Sequence, residues 1–194
     1  MEEKQLNEKE SLELITQMIR NTQQRLEKDN GIPFLIWGYT TVIVSLIVWY
    51  MLTTTGNHMW NFFWLTIPVI GLPLMFIFPK KKAKTPKTYI DKIISYVWTV
   101  IGISAFIPSL ASSFIYSFPI LFLVVVLISI GTTITGLIIK FRPLIISGFI
   151  GMFLSVICLI LGNTSDSILV FAALFLLIQV IPGHILNWKG RKNV

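Results

Sequence analysis

Charged side chains are scarce in this sequence. Asp, Glu, Lys and Arg make up 13% of its 194 residues, whereas soluble domains usually carry about 25%. Cysteine is scarcer still: Cys158 is the only one, and it lies inside an apolar stretch, which excludes a disulfide framework. Hydrophobic residues account for 54% of the chain. This composition is not that of an ordinary soluble domain and points to a bilayer as the solvent.

Six windows of about 20 residues contain no Asp, Glu, Lys or Arg, and this is the length at which an α-helix crosses a bilayer core. The predicted spans are 32–52, 59–78, 93–112, 118–139, 143–162 and 167–186. They are apolar all round, unlike the amphipathic helices of a soluble core. LFLVVVLISI (121–130) also lacks the alternation of a membrane β-strand. The predicted fold class is all-α: a polytopic bundle of six transmembrane helices over 32–186, followed by a basic tail at 187–194.

The basic residues alternate along the chain. Five of the 16 Lys and Arg precede span one, six separate spans two and three, two separate spans four and five, and three follow span six. The other three connections have none. Because short loops rich in Lys and Arg stay in the cytoplasm, we expect a multi-pass protein of the bacterial inner membrane with both termini cytoplasmic. The polar first 31 residues are unlike a signal peptide, so span one is expected to act as an uncleaved anchor.

The stretch PKKKAKTPKTYIDK (79–92) holds six lysines and one acid. A basic run can indicate a nucleic-acid partner, but one flanked by two spans is typical of a topogenic signal. Anionic headgroups attract each basic residue near the surface by about 1 kcal/mol. We therefore predict no nucleic-acid partner. The lysines predicted to contact headgroups are Lys80, Lys81, Lys82, Lys84 and Lys87.

The N-terminal segment, residues 1–31, predicts one amphipathic cytoplasmic helix from Asn7 to Asn30. Asn7 and Glu10 have the spacing of a capping box. Five basic and seven acidic residues give the segment a net charge of −2, which disfavours binding to anionic lipid. The apolar stripe can pack on the protein's own cytoplasmic face, on a second copy in a homo-oligomer, or on a cytoplasmic protein partner. This candidate interaction seam consists of Leu12, Ile15, Met18, Ile19 and Leu26.

The run ESLELITQMIRNTQQRLEKDNGIPFLIWGYT, together with IPGHILNWK near the end, resembles a group of uncharacterised six-span membrane proteins of Bacteroidetes. Those proteins begin with a similar helix that leads into an FLxWG-type first span. Their genes often stand beside small winged-helix regulators, so the resemblance implies a sensory or regulatory context. The shared motifs have no known chemistry and therefore assign no functional residue.

The sequence offers no set of residues with the spacing of a catalytic or metal-binding site. His58 and His184 are the only histidines and fall on opposite sides of the predicted membrane, so no metal or cofactor is predicted. We expect the His184 ring to bond a backbone group or a headgroup. A Ser147–His184 dyad is conceivable, but Ser147 lacks the Gly-x-Ser elbow and no acid orients the histidine. An enzyme is not predicted.

Small, polar and helix-breaking residues remain inside the spans. Those at spacings that allow close helix packing are Gly131, Thr132, Thr135, Gly136, Ser147, Gly151 and Ser155. Span two carries Pro68, Gly71 and Pro73, and span six carries Gln179 and Pro182 with His184 just beyond. Proline removes a backbone donor, so these breaks are either ordinary kinks or the lining of a cavity. Trp and Tyr near the span ends, such as Trp37 and Trp98, predict aromatic belts at the interfaces.

Two functions follow from these observations. The first is a non-enzymatic membrane protein that acts as an oligomeric scaffold, or as a regulatory or sensory partner, through its cytoplasmic helix. The alternative is a carrier or channel for a neutral small solute that uses the breaks in spans two and six. No Asp, Glu, Lys or Arg lies inside the spans, which disfavours coupling to protons or cations.

Overall fold

The computed structural model describes residues 12–13, 16–17, 31–78, 89–114, 118–162 and 164–192. Within these ranges all regular structure is helical, and six helices are long and apolar enough to cross a membrane. The predicted all-α, six-span class is confirmed for this part of the chain. In the N-terminal segment, Thr16 Oγ1 donates to the helical carbonyl of Leu12, whose side chain is 65% exposed. The other seam residues lie outside the described residues, namely Ile15, Met18, Ile19 and Leu26.

Four of the six spans are single α-helices: span one Gly31–Thr55, span three Tyr89–Phe114, span four Ile120–Ile138 and span five Arg142–Leu161. Span two is a 3₁₀-helix, His58–Leu65, followed by the α-helix Thr66–Ile77. Span six joins the α-helix Ser165–Phe175, a π-helix Leu176–Val180 and the α-helix Ile181–Lys192. Several helices run past the predicted spans, because backbone bonding continues through flanking charged residues such as Asp91 and Lys92.

Successive spans run antiparallel, so the helix ends that lead into the basic connections share one end of the bundle. A core cluster of Phe34, Ile94, Ile139, Phe141, Leu144 and Leu186 joins the helix ends next to those connections. We call this the basic end. At the other, neutral end, Val44 and Val48 of span one pack with Ile168 of span six. The alternation predicted from the charges is therefore a property of the fold.

Spans one and six form the centre of the bundle. In each, 56% of the most apolar window is buried, whereas the share is 6% for span two and 11% for span three. Span one packs along span six and also carries span two, while span three packs on span four. Spans two and three are therefore peripheral helices, with most of their side chains on the outside of the bundle.

Spans four and five form the most extensive helix contact, and a tight turn joins them. Lys140 has a φ of 54°, Lys140 N donates to Leu137 O, and Phe141 N donates to Gly136 O. This pair of bonds is the Schellman arrangement that ends a helix, with Lys140 where glycine is usual. The turn satisfies two terminal carbonyls of span four and returns the chain at once into span five.

Candidate functional site between spans one and six

Span six changes its helical register at its middle. Ile181 N donates to the carbonyl of Leu176, five residues back, and closes the π-helix Leu176–Val180. The cause lies one residue further on: Pro182 has no N–H, and its ring would clash with the carbonyl of Ile178 in a regular α-helix. Single π-turns of this kind are rare and occur often at functional sites. The sequence marked this break by Gln179 and Pro182, but it did not predict a π-turn.

The π-turn and Pro182 leave the Leu177 carbonyl without its helical donors. The next bond of the π register would run from residue 182 to the carbonyl of Leu177, and Pro182 cannot donate it. The α-register donor for the same carbonyl would be Ile181 N, which is bonded to Leu176. In a membrane-spanning helix such a freed carbonyl needs a partner from a neighbouring helix, a side chain or a water molecule.

Gln179 projects from the same turn and is 1% exposed. Its Oε1 atom is buried and accepts no hydrogen bond from the described residues. Span one makes room for it with a glycine: a Cβ atom added to Gly38 would lie 3.2 Å from Gln179 Cβ and 2.8 Å from Val180 Cγ2. A buried amide without a partner costs about 1–3 kcal/mol. The site thus presents two hydrogen-bond acceptors, Leu177 O and Gln179 Oε1, within one turn.

Nearer the basic end, a polar pair joins the same two spans. The hydroxyl of Tyr39 lies 2.7 Å from Nε2 of His184, and the rings meet edge to face with their centroids 5.8 Å apart. Nε2 of His184 thus has a side-chain partner on span one, where the sequence predicted a backbone group or a headgroup as partner of the ring. Sequence reasoning missed Tyr39 because it precedes His184 by 145 residues, and no local spacing relates the two.

The start of span one also lies directly on span six. A Cβ atom added to Gly31 would lie 3.0 Å from both N and Cβ of Asn187 and 3.1 Å from the carbonyl oxygen of Gly183. Gly31 is buried there, so the backbones of the two spans touch at the basic end. Span one therefore begins against the end of span six.

The residues predicted to break span two, Pro68, Gly71 and Pro73, lie within the continuous α-helix Thr66–Ile77. A Cβ atom added to Gly71 would lie 2.9 Å from the Trp37 ring, so Trp37 fills the surface that this glycine leaves open. Pro73 is exposed, and Pro68 is half-buried just after the 3₁₀ segment. Span two reaches span six at the neutral end, where the rings of Trp64 and Phe171 are 5.5 Å apart. The breaks of spans two and six therefore contact different residues of span one.

The residues predicted to pack helices together are all buried: Gly131, Thr132, Thr135, Gly136, Ser147, Gly151 and Ser155. Gly151 of span five is where three spans meet, because a Cβ atom there would lie 2.5 Å from both Ser129 Oγ of span four and Ile178 Cδ1 of span six. Ser129 Oγ is the other buried side-chain atom without a partner in the described chain.

Trp98, which the sequence predicts in an interfacial belt, makes two contacts inside the bundle. Its ring packs edge-on against Phe34 of span one, with centroids 5.5 Å apart. Its Nε1 donates to Thr135 Oγ1 of span four at 3.1 Å. Trp98 therefore anchors the peripheral span three to the bundle. The sequence offered no signal for this role beyond the threonine-rich face of span four.

The geometry of the described residues gives no support for a catalytic dyad or a metal site. Ser147 Oγ donates to the carbonyl of Leu144, and His184 is engaged with Tyr39. No cluster of three or more His, Cys, Asp or Glu occurs in the part of the chain that the structure describes. At the neutral end an open cleft of about 330 Å³ is lined by Asn57, Met59, Trp60, Phe62, Phe63 and Thr66. Its walls are mainly aromatic, as is usual at a membrane interface.

The fold and these contacts define an all-helical, multi-pass membrane protein. Comparison of the chain with protein-family models, with curated proteins and with solved structures finds no match. The resemblance to six-span proteins of Bacteroidetes therefore stays a prediction.

Proposed function

We propose that the protein is a non-enzymatic integral protein of the bacterial inner membrane, with both termini in the cytoplasm. It acts as a scaffold, or as a regulatory or sensory partner, through its N-terminal amphipathic helix. The basic end of the bundle then faces the cytoplasm, because translocation of its lysines and arginines is unfavourable.

The observation that carries this proposal is the contact of Gly31 with Asn187 and Gly183. The N-terminal segment is joined to span one at the point where span one rests on span six. A displacement of span six along span one therefore changes the contacts next to the attachment point of the cytoplasmic helix.

Charge supports docking of the helix on the protein's own cytoplasmic face. The first 31 residues carry a net charge of −2, whereas residues 79–92 carry six lysines against one aspartate. The apolar stripe supplies the rest of the attraction, because burial of each such side chain is worth roughly 1.5–3 kcal/mol. A second copy and a separate cytoplasmic protein are the other partners that this seam fits.

The double substitution Ile15→Asp with Ile19→Asp tests the seam, because it places two charges in the apolar stripe. We expect limited proteolysis of the full-length protein to cleave after Arg20 and Arg25 in this variant and not in the unmodified chain. Thr16→Asp with Gln17→Asp is the matched control: both residues are exposed, so it adds the same charge outside the stripe.

Equal cleavage of the unmodified protein would show that the seam docks neither on its own bundle nor on a second copy. Mass measurement of the protein in detergent separates those two partners. A monomer that resists cleavage indicates own-face docking. A dimer or larger assembly that dissociates in the Ile15→Asp, Ile19→Asp variant indicates self-association.

The carrier alternative loses one of its supports. A solute pathway built from both breaks would need them to line one space, but Gly71 is packed against Trp37 while Gln179 is packed against Gly38. Span one thus presents different residues to the two breaks.

A further inference from the structure

The middle of span six holds two hydrogen-bond acceptors that the described residues do not satisfy. Gln179 Oε1 is buried and unpartnered, and the carbonyl of Leu177 has lost its helical donor to Pro182 and to the bond between Ile181 and Leu176. One turn thus contains two unpaired acceptors, one on a side chain and one on the backbone, and both lack a hydrogen-bond donor. Natural structures rarely leave buried polar groups unpaired without a ligand or an ordered water.

Charge decides the class of that partner. Two acceptors call for a donor, which could be a cation or a neutral N–H or O–H group. None of the described spans places an acidic side chain in this region, and burial of an ion without a counter-charge is expensive. The close contact between Gly38 and Val180 also leaves little space beside the turn. A small neutral donor meets both limits.

We infer that the π-turn of span six is a binding site for a small neutral hydrogen-bond donor, held by Gln179 Oε1 and the Leu177 carbonyl against span one. A water molecule and an N–H or O–H group of a small solute share this chemistry. The inference stands apart from the role of the cytoplasmic helix, because it concerns only the contact between spans one and six.

Gln179→Leu gives opposite results with and without a bound donor. Without one, the substitution removes an unsatisfied acceptor and the melting temperature of the purified full-length protein rises or stays the same. With one, the donor loses a partner, and we expect the melting temperature to fall by about 2–4 °C. Ser129→Ala is the control, since it removes the other unpartnered buried polar atom. An equal fall in both variants reflects lost packing and would overturn the inference.

Pro182→Ala provides the second arm, because it restores an N–H that can reach the Leu177 carbonyl. If one donor bridges both acceptors, the change in melting temperature for the double variant with Gln179→Leu differs from the sum of the single changes. A cryo-electron microscopy map of the unmodified protein should then contain density within hydrogen-bond distance of both acceptors. Additive changes together with an empty map would overturn the inference.

Acetamide and N,N-dimethylacetamide distinguish a small solute from a water molecule as the donor. Of the two amides, only acetamide carries N–H groups. A rise in melting temperature with acetamide alone, absent from Gln179→Leu, supports a solute site. Density at the acceptors without an acetamide effect supports a bound water molecule.

Discussion

The hydroxyl of Tyr39 and Nε2 of His184 lie 2.7 Å apart and join span one to span six. Both side chains are exposed on the bundle, so the bond lies at its surface rather than in its core. Along span six, His184 lies between Asn187, which contacts Gly31, and Gln179, which contacts Gly38. Three positions along span six are therefore in contact with span one.

Removal of the Tyr39 hydroxyl should weaken this helix pair. We expect Tyr39→Phe to lower the free energy of unfolding in detergent by about 0.6 kcal/mol, and by no more than about 1.7 kcal/mol, the range of interhelical polar pairs in membranes. Tyr50→Phe, at the neutral end of the same helix, is the matched control and should have no effect. Equal stabilities of the two variants would mean that the pair with His184 contributes nothing.

Two glycines should respond to alanine in opposite directions. A Cβ atom at Gly136 would lie 2.8 Å from the backbone nitrogen of Ile145, whereas one at Gly102 would have nothing within 4 Å. We expect Gly136→Ala to destabilise the protein by about 1–3 kcal/mol, since a backbone cannot yield as a side chain can. Gly102→Ala should be neutral or stabilising by up to about 1 kcal/mol, because alanine is the better helix former.

Thermal unfolding of both glycine variants measures the difference. A stable Gly136→Ala protein would mean that spans four and five do not approach as closely as this contact requires. Gly148→Ala provides a second case at the same interface, where the added atom would overlap Thr133 Oγ1.

The bond between Trp98 and Thr135 should couple span three to span four. A double-mutant cycle with Trp98→Phe and Thr135→Val isolates this bond from the lost indole packing. We expect a coupling free energy of about 0.6 kcal/mol, measured by unfolding in detergent. A coupling of zero would leave the ring contact with Phe34 as the anchor of span three.

Topology is tested by reporter fusions in the cell. Fusions at Asn57 and Thr164 should report the outside of the inner membrane, because their loops contain no Lys or Arg. Fusions after Thr85 and Asn193 should report the cytoplasm. An outside signal at Thr85 would contradict the assignment of the basic end to the cytoplasm, since that loop contributes most of its charge.

The sequence by itself determined the class and the order of the elements. Uncharged windows long enough to span a bilayer and basic residues after every second window predicted six antiparallel helices, and the described chain has them. It also marked the irregular place in span six, since Pro182 lies beside the π segment. These features are local, because an apolar run and a missing N–H act within one helix.

Tertiary structure alone decided which helices are neighbours and which side chains are paired. The spans are apolar all round, so no amphipathic stripe indicates an inward face, and lipid is as good a neighbour for leucine as another helix. Helix contacts therefore depend on shape: Gly38 receives Gln179, Gly71 receives Trp37, and span one becomes central. The bond from Tyr39 to His184 and the unpartnered Oε1 of Gln179 exist only once those surfaces have met.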